Sequence, residues 1–126
     1  MSVKIRPARA GELEAVLAIW REAEAVPGAT DSVESLRMLL ETSPDSLLVA
    51  EVDSAPVGTV IATWDGWRAG LYRLAVLPSH RRRGVARALI AEGERRLRDK
   101  GAARISILAI ASSDAPDLWE AVGYEP

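Results

Sequence analysis

One contiguous stretch, residues 71–110, leaves few folds open to this chain. It begins with an apolar run, Leu71-Tyr-Arg-Leu-Ala-Val-Leu77, which breaks at Pro78-Ser-His80. A loop of three arginines and a glycine, Arg81-Arg-Arg-Gly84, leads directly into a helical pattern over 84–100. Val85, Ala88, Leu89 and Leu97 mark the buried stripe of that helix. Gly101 stands where a left-handed residue ends a helix. Arg104-Ile-Ser-Ile-Leu-Ala-Ile110 then reads as a strand, apolar on both faces after Ser106, as expected of a central buried strand. Strand, helix and strand in that order form a crossover unit, whose two strands run parallel.

The rest of the chain builds around this unit. Residues 3–6 alternate apolar and polar and then meet Pro7, a short first strand. In 10–25, Leu13, Val16, Leu17 and Trp20 fall on one helical face, and Pro27-Gly28 ends the segment. Asp31-Ser-Val-Glu34 has the spacing of a capping box with Asp31 as the cap. It opens a second helix with Leu36, Leu39 and Leu40 inward, stopping before Pro44. Residues 47–52 and 57–64 make a hairpin around the turn Asp53-Ser-Ala-Pro56, and Asp65-Gly66 leads to the third strand of the meander, 71–77. Ser113 or Asp114 caps a short last helix carrying Leu118, Trp119 and Val122 and ending at Gly123. The order is β-α-α-β-β-β-α-β-α. The fold class is α/β (α+β), a mixed, mostly antiparallel sheet flanked by helices.

With 126 residues the chain is expected to form a single domain over 1–126. It has no Cys, which excludes disulfides, a thiol nucleophile and Cys-ligated metals, and its one imidazole, His80, excludes a His-rich metal cluster. The expectation is therefore no metal. No apolar run approaches the roughly 20 residues that span a bilayer, and the N-terminus lacks a signal-peptide pattern, so the expectation is a cytoplasmic protein with no membrane partner. Net charge is −2, yet residues 80–104 hold nine basic and three acidic side chains. A local basic patch in an acidic chain favours a defined anionic ligand over nucleic acid, whose binding would also call for aromatics between the arginines.

The patch sits at a chemically informative place. The first N–H groups of a helix lack intrahelical acceptors, and the aligned peptide dipoles add about half a positive charge there. Together they bind phosphate. Gly84 lets a phosphate approach the backbone, Ala86 intrudes little, and Arg81, Arg82, Arg83 and Arg87 add formal charge. The alternative is a solvated arginine-rich helix face. Neither the dinucleotide fingerprint Gly-x-Gly-x-x-Gly nor Gly-x-x-x-x-Gly-Lys-Ser/Thr is present.

Arg81-x-x-Gly84-x-Ala86 resembles the pyrophosphate-binding motif of the GNAT superfamily of acetyl-CoA-dependent N-acetyltransferases, Gln/Arg-x-x-Gly-x-Gly/Ala. Near the C-terminus, Ala115-x-x-Leu118-Trp119-x-x-x-Gly123-Tyr124 is similar to that family's Ala-x-x-Leu-Tyr-x-x-x-Gly-Phe, and Ile5-Arg6-Pro7-Ala8 before an acidic helix is also typical. The resemblance covers the whole chain. It implies acyl transfer from acetyl-CoA, a cosubstrate, to an amine of a small molecule or peptide by direct attack in a ternary complex. The pantetheine arm would pair with the backbone of Leu74, Ala75 and Val76, and the pyrophosphate would lie on the amides of 82–87, which include Val85. A backbone N–H near Val76 would meet the developing oxyanion. The acceptor site would be built from 26–30 and 65–70.

The sequence also departs from the family pattern. Trp119 stands at the usual general-acid Tyr, and an indole N–H cannot supply a proton at neutral pH. The thiolate then leaves with hydrogen-bond help alone, or turnover is weak or lost. Gly70 and Tyr72 occupy the positions where relatives often carry a general base, and Tyr72 is a candidate catalytic group or a structural pocket residue. Ser112 stands where relatives carry an Asn against the pantetheine arm, Glu22 and Glu24 are candidates to attract a cationic amine, and His80 reads as a loop residue. Relatives usually continue with two more strands. Their lack would leave the 104–110 strand with an exposed edge, which a second copy of the chain is expected to cover as a homodimer. The alternative function is a non-catalytic acyl-CoA-binding relative, a sensor or binding module.

Overall fold

The computed structural model describes residues 2–23, 28–108 and 123. The elements run β1 (Lys4–Pro7), a 3₁₀ turn at Ala10–Glu12, α1 (Leu13–Glu22), α2 (Val33–Thr42), β2 (Leu47–Val52), β3 (Ala55–Trp64), β4 (Ala69–Val76), a 3₁₀ turn at Pro78–His80, α3 (Val85–Asp99) and β5 (Ile105–Leu108). The expected order of strands and helices holds through β5. The last expected helix, with Trp119, lies outside the described residues.

The five strands form one sheet in the order β1-β2-β3-β4-β5. The first three pairings are antiparallel and β4–β5 is parallel, from Ala69↔Ile105 to Tyr72↔Leu108, as a crossover through α3 requires. Both faces of the sheet are covered. Strand alternation assigns Leu48, Ala50 and Val52 to the α3 side with Val85, Leu89, Ile90 and Leu97. Leu47 and Val49 face the other side with Leu13, Val16, Leu17 and Trp20 of α1 and Leu36 of α2. Leu47 through Ala50 are therefore all buried, which explains the unbroken apolar run of β2.

Five expectations are corrected. The first hairpin turns on Asp53 and Ser54 alone, because Ala55 and Pro56 already pair with Val52 and Glu51, and β4 spans Ala69–Val76 rather than 71–77. The 104–110 strand is not central: among the described residues β5 pairs only with β4, Ser106 is exposed, and Ile105 and Ile107 are half-buried. Its apolar composition reflects packing against the α3-side core rather than a central position. The cap of α2 is Ser32, whose hydroxyl accepts from the Ser35 N–H at 3.1 Å, and not Asp31. The first helix becomes α-helical only at Leu13 and ends at Glu22, before Pro27-Gly28. On α3, Ala88 is half-buried, while Ile90 and Gly93 join the inner face.

Gly93 is buried against β4, and a Cβ there would stand 2.9 Å from Leu71 Cδ2, so the glycine sets how closely α3 approaches the sheet. The helix closes in a Schellman motif, with Gly101 N–H donating to Arg98 O at 3.0 Å and Ala102 N–H to Leu97 O at 3.0 Å. At the opposite corner, Arg6 is buried between Glu12 at 2.6 Å and Glu51 at 3.0 Å. The Arg6 guanidinium holds the Glu12 carboxyl below its usual range.

Candidate functional site

The site follows from how β4 ends and α3 begins. Ala75 and Val76 are buried and Leu74 packs against the α3-side core, so these side chains belong to the interior and only their main chain is open to a ligand. The ladder fixes which way that main chain points. Leu77 N–H donates to Val57 O at 2.8 Å, which makes this a hydrogen-bonded pair. In an antiparallel ladder the next pair, Gly58↔Val76, is the non-bonded kind, and its N–H and C=O groups point outward. The Val76 N–H is thus directed away from β3, toward the side on which β5 runs. A Cβ on Gly58 would meet Ala75 O at 3.0 Å and Leu89 Cδ1 at 3.1 Å, so a glycine is needed for β3, β4 and α3 to meet here.

The loop after β4 turns through a 3₁₀ segment and two left-handed residues, Arg82 with φ 61° and Gly84 with φ 80°. Gly84 is the N-cap of α3 and offers no side chain to the first-turn amides. Its carbonyl accepts the first intrahelical bond, from Ala88 N–H at 3.0 Å, and the N–H groups of Val85, Ala86 and Arg87 precede that first donor. There is no acidic residue in the first turn, and a Cβ built on Gly84 meets nothing within 4 Å. Arg81, Arg82, Arg83 and Arg87 are exposed around this open end, while Val85 is buried and Ala86 half-buried beneath it. Arg81 also ties two elements together: its Nε donates to Val76 O and its Nη2 to Ala23 O at the end of α1, each at 3.4 Å.

The other face of β4 holds the remaining candidates. Tyr72 is half-buried and packs with the α1–α2 core. A Cβ on Gly70 would lie 3.6 Å from the Tyr72 ring, ordinary contact distance. Glu22 is exposed at the end of α1, and His80 shares a 2.9 Å contact between its Nδ1 and Ser79 Oγ. In the 65–70 turn, the Asp65 carboxylate accepts from the N–H groups of Arg68 at 2.7 Å and Trp67 at 2.8 Å. Those two backbone donors hold its carboxyl below the usual range. Trp67, 76% exposed, lies under the Arg68 guanidinium at 4.6 Å. Ser112, Trp119, Glu24 and Val26 fall outside the described residues.

Sequence reasoning passed over Arg73. Ala75 opposes Thr59 and Tyr72 opposes Ile61, so Arg73 and Leu74 together stand opposite Val60, a β-bulge. The bulge breaks the alternation, and Arg73 faces the α1–α2 side as Tyr72 does. Its guanidinium lies 4.8 Å from the Trp20 ring and pairs with Asp31 at 2.5 Å. The signal in the sequence was a lone arginine inside an otherwise apolar strand.

This architecture has close counterparts. Residues 13–124 match the Acetyltransferase (GNAT) family. An acetyltransferase of Pectobacterium atrosepticum is 34% identical over 98% of this chain and 88% of its own length. Among solved structures, Ard1 of Thermoplasma volcanium superposes with a TM-score of 0.85 at 19% identity, covering 98% of this chain and 82% of that one. The PaiA N-acetyltransferase of Thermoplasma acidophilum, solved in complex with coenzyme A, superposes with a TM-score of 0.83 at 20% identity, covering 99% and 91%. By its family match, its relatives and its fold, the chain belongs to the GNAT acetyltransferase family.

Proposed function

We propose that the protein transfers an acetyl group from acetyl-CoA to a primary amine in a ternary complex. The observation that carries this reading is the open N-terminal end of α3, capped only by the left-handed Gly84 and ringed by exposed arginines. Free amides, the helix dipole and formal positive charge converge there, the arrangement that binds a pyrophosphate. The residues present fit such a group: the Gly84 surface is open, and no carboxylate stands in the first turn to repel it. The coenzyme A bound by the Thermoplasma acidophilum relative supports the same choice of ligand.

The chemistry follows from the strand beside it. In this reading the pantetheine arm runs along the outward-facing main chain of 74–76, which places the thioester carbonyl near the Val76 N–H. A neutral amine attacks that carbonyl, forming a C–N bond and a tetrahedral oxyanion that the Val76 N–H stabilises. The C–S bond then breaks, coenzyme A departs as a thiolate, and the proton lost by the amine nitrogen passes through solvent to that thiolate, which yields the amide and free coenzyme A. A free thiol pKa near 8.5 makes the thiolate a tolerable leaving group without a strong acid. Tyr72, on the α1–α2 side of β4, serves as a hydrogen-bonding group for the acceptor or acetyl oxygen. The protein's main contribution is to hold the two reactants together. A thiol-release assay with acetyl-CoA and a panel of amines tests the reading; release that depends on one amine class is expected.

One sequence feature favours a second reading. Trp119 stands where the family carries its general-acid Tyr, which suits a protein that binds acyl-CoA without turnover. Acetyl-CoA binding with no amine-dependent thiol release would favour that reading.

A further inference from the structure

We propose that Arg73 is a positioning residue that latches the 28–32 segment onto the bulge of β4, so that this wall of the acceptor site is set by one side chain. The inference rests on the function proposed above for the identity of the acceptor site, but the latch itself is read from contacts. Arg73 is held at both ends. Its carbonyl accepts from Thr59 Oγ1 at 2.9 Å, and Thr59, 0% exposed, accepts in turn from Trp20 Nε1 at 2.8 Å. Its guanidinium lies over the Trp20 ring and reaches Asp31 Oδ1. The same indole therefore fixes the backbone of Arg73 through Thr59 and its charge through the ring face.

Asp31 is bound at both oxygens as well. Its Oδ2 accepts from Gly28 N–H at 3.2 Å, while its own N–H donates to Gly28 O at 3.1 Å, which closes the 28–31 turn on itself. A Cβ on Gly28 would stand 3.0 Å from Arg73 Nη2, so the glycine lets the turn close onto the guanidinium. Both side chains of the pair are only 15% exposed, which limits screening by solvent. On the strand side, Arg73 adopts φ 55°, a left-handed conformation that a non-glycine residue holds only when its surroundings impose it. Without the bulge, alternation would turn this arginine toward α3 and no ion pair with Asp31 could form.

The test compares Arg73→Gly, Arg73→Lys, Asp31→Asn and the double variant. Glycine accepts φ 55° without strain, so Arg73→Gly removes the guanidinium and leaves the bulge intact. Hydrogen exchange in the ligand-free protein needs no turnover. Amides of 28–33 are expected to exchange at least tenfold faster in Arg73→Gly and Asp31→Asn, no faster in the double variant, and close to the parent rate in Arg73→Lys. With the best amine from a panel of spermidine, an aminoglycoside and peptides with a free N-terminus or lysine, Arg73→Gly is expected to lower kcat/KM for the amine by about ten- to a hundredfold. Its acetyl-CoA dissociation constant is expected to stay within about twofold of the parent, whereas a purely structural role would change both or neither. Unchanged exchange at 28–33 in Arg73→Gly overturns the latch, as does an unchanged kcat/KM for the amine. A parent protein that fails to bind acetyl-CoA overturns the proposed function instead, and the exchange result then decides the latch alone.

Discussion

At the C-terminal end of α3, Arg95 reaches Glu92 at 2.6 Å and Asp99 at 2.9 Å, Arg96 reaches Glu92 at 2.7 Å, Arg98 reaches Glu94 at 3.7 Å, and Lys100 reaches Asp45 at 3.0 Å. At the N-terminal end, Arg81, Arg82, Arg83 and Arg87 are exposed around a first turn that contains no acidic residue. The two ends carry arginines alike and belong to one helix of 15 residues. Cations near a helix C-terminus complement the dipole and are satisfied within the protein. Cations near a helix N-terminus oppose the dipole, an unfavourable placement that a bound anion would offset. Charge is plentiful at both ends of α3, and the proposed site is the end where it is set against the local dipole.

The largest effect that could break this comparison is on ligand affinity. Gly84→Glu puts a carboxylate where the pyrophosphate would lie and a Cβ on a residue with φ 80°. Acetyl-CoA affinity is expected to fall by at least about a hundredfold, because like charges at about 4 Å repel by roughly 1–4 kcal/mol between water and a protein surface, and the steric block adds to this. Calorimetry reads the loss. Arg83→Glu is expected to weaken binding by about tenfold or more, whereas Arg98→Glu, the same change at the other end, is expected to leave affinity within about twofold.

Stability sharpens the contrast between the glycines of α3. Gly93→Val forces a side chain into Leu71 and is expected to cost about 1–3 kcal/mol, seen as a lower urea midpoint. Gly84→Ala meets no atom within 4 Å and is expected to cost about 1–2 kcal/mol, all of it from the left-handed backbone. Gly93→Val should leave acetyl-CoA binding intact at temperatures where the protein is folded.

The smallest expected effect is electrostatic. Arg95 and Arg96 hold the Glu92 carboxyl down to about 2, below its ordinary value. A depressed carboxyl pKa stabilises the fold above the unfolded value, near 4.3, and that contribution disappears as pH falls from there through the folded value. Glu92→Gln is expected to lower Tm by about 1–3 °C at pH 7, with the difference from the parent shrinking toward pH 2 in thermal melts.

Much of this molecule could be read from its sequence because its signals are local. Gly84 and Gly101 bracket α3, Leu13, Val16, Leu17 and Trp20 define the inner face of α1, and both meander turns lie within a few residues of where Asp53-Ser54 and Asp65-Gly66 mark them. The arginine-rich loop before α3 is equally local, since a helix start needs no distant partner. What escaped depends on tertiary contacts. Asp31 has the spacing of a cap, but Arg73 draws its carboxylate away and Ser32 caps α2 instead. The bulge at Arg73 exists because Thr59 and Trp20 bind its carbonyl and guanidinium from other elements. The position of β5 at the edge of the described sheet is set by sheet order, which its apolar letters do not encode.

The most direct test of the central claim is a calorimetric titration of acetyl-CoA into the parent protein, Gly84→Glu and Arg98→Glu side by side. Binding by the parent and Arg98→Glu with loss in Gly84→Glu is the predicted result. Absence of binding to the parent, or equal binding to Gly84→Glu, would contradict the claim that the N-terminal end of α3 holds the pyrophosphate.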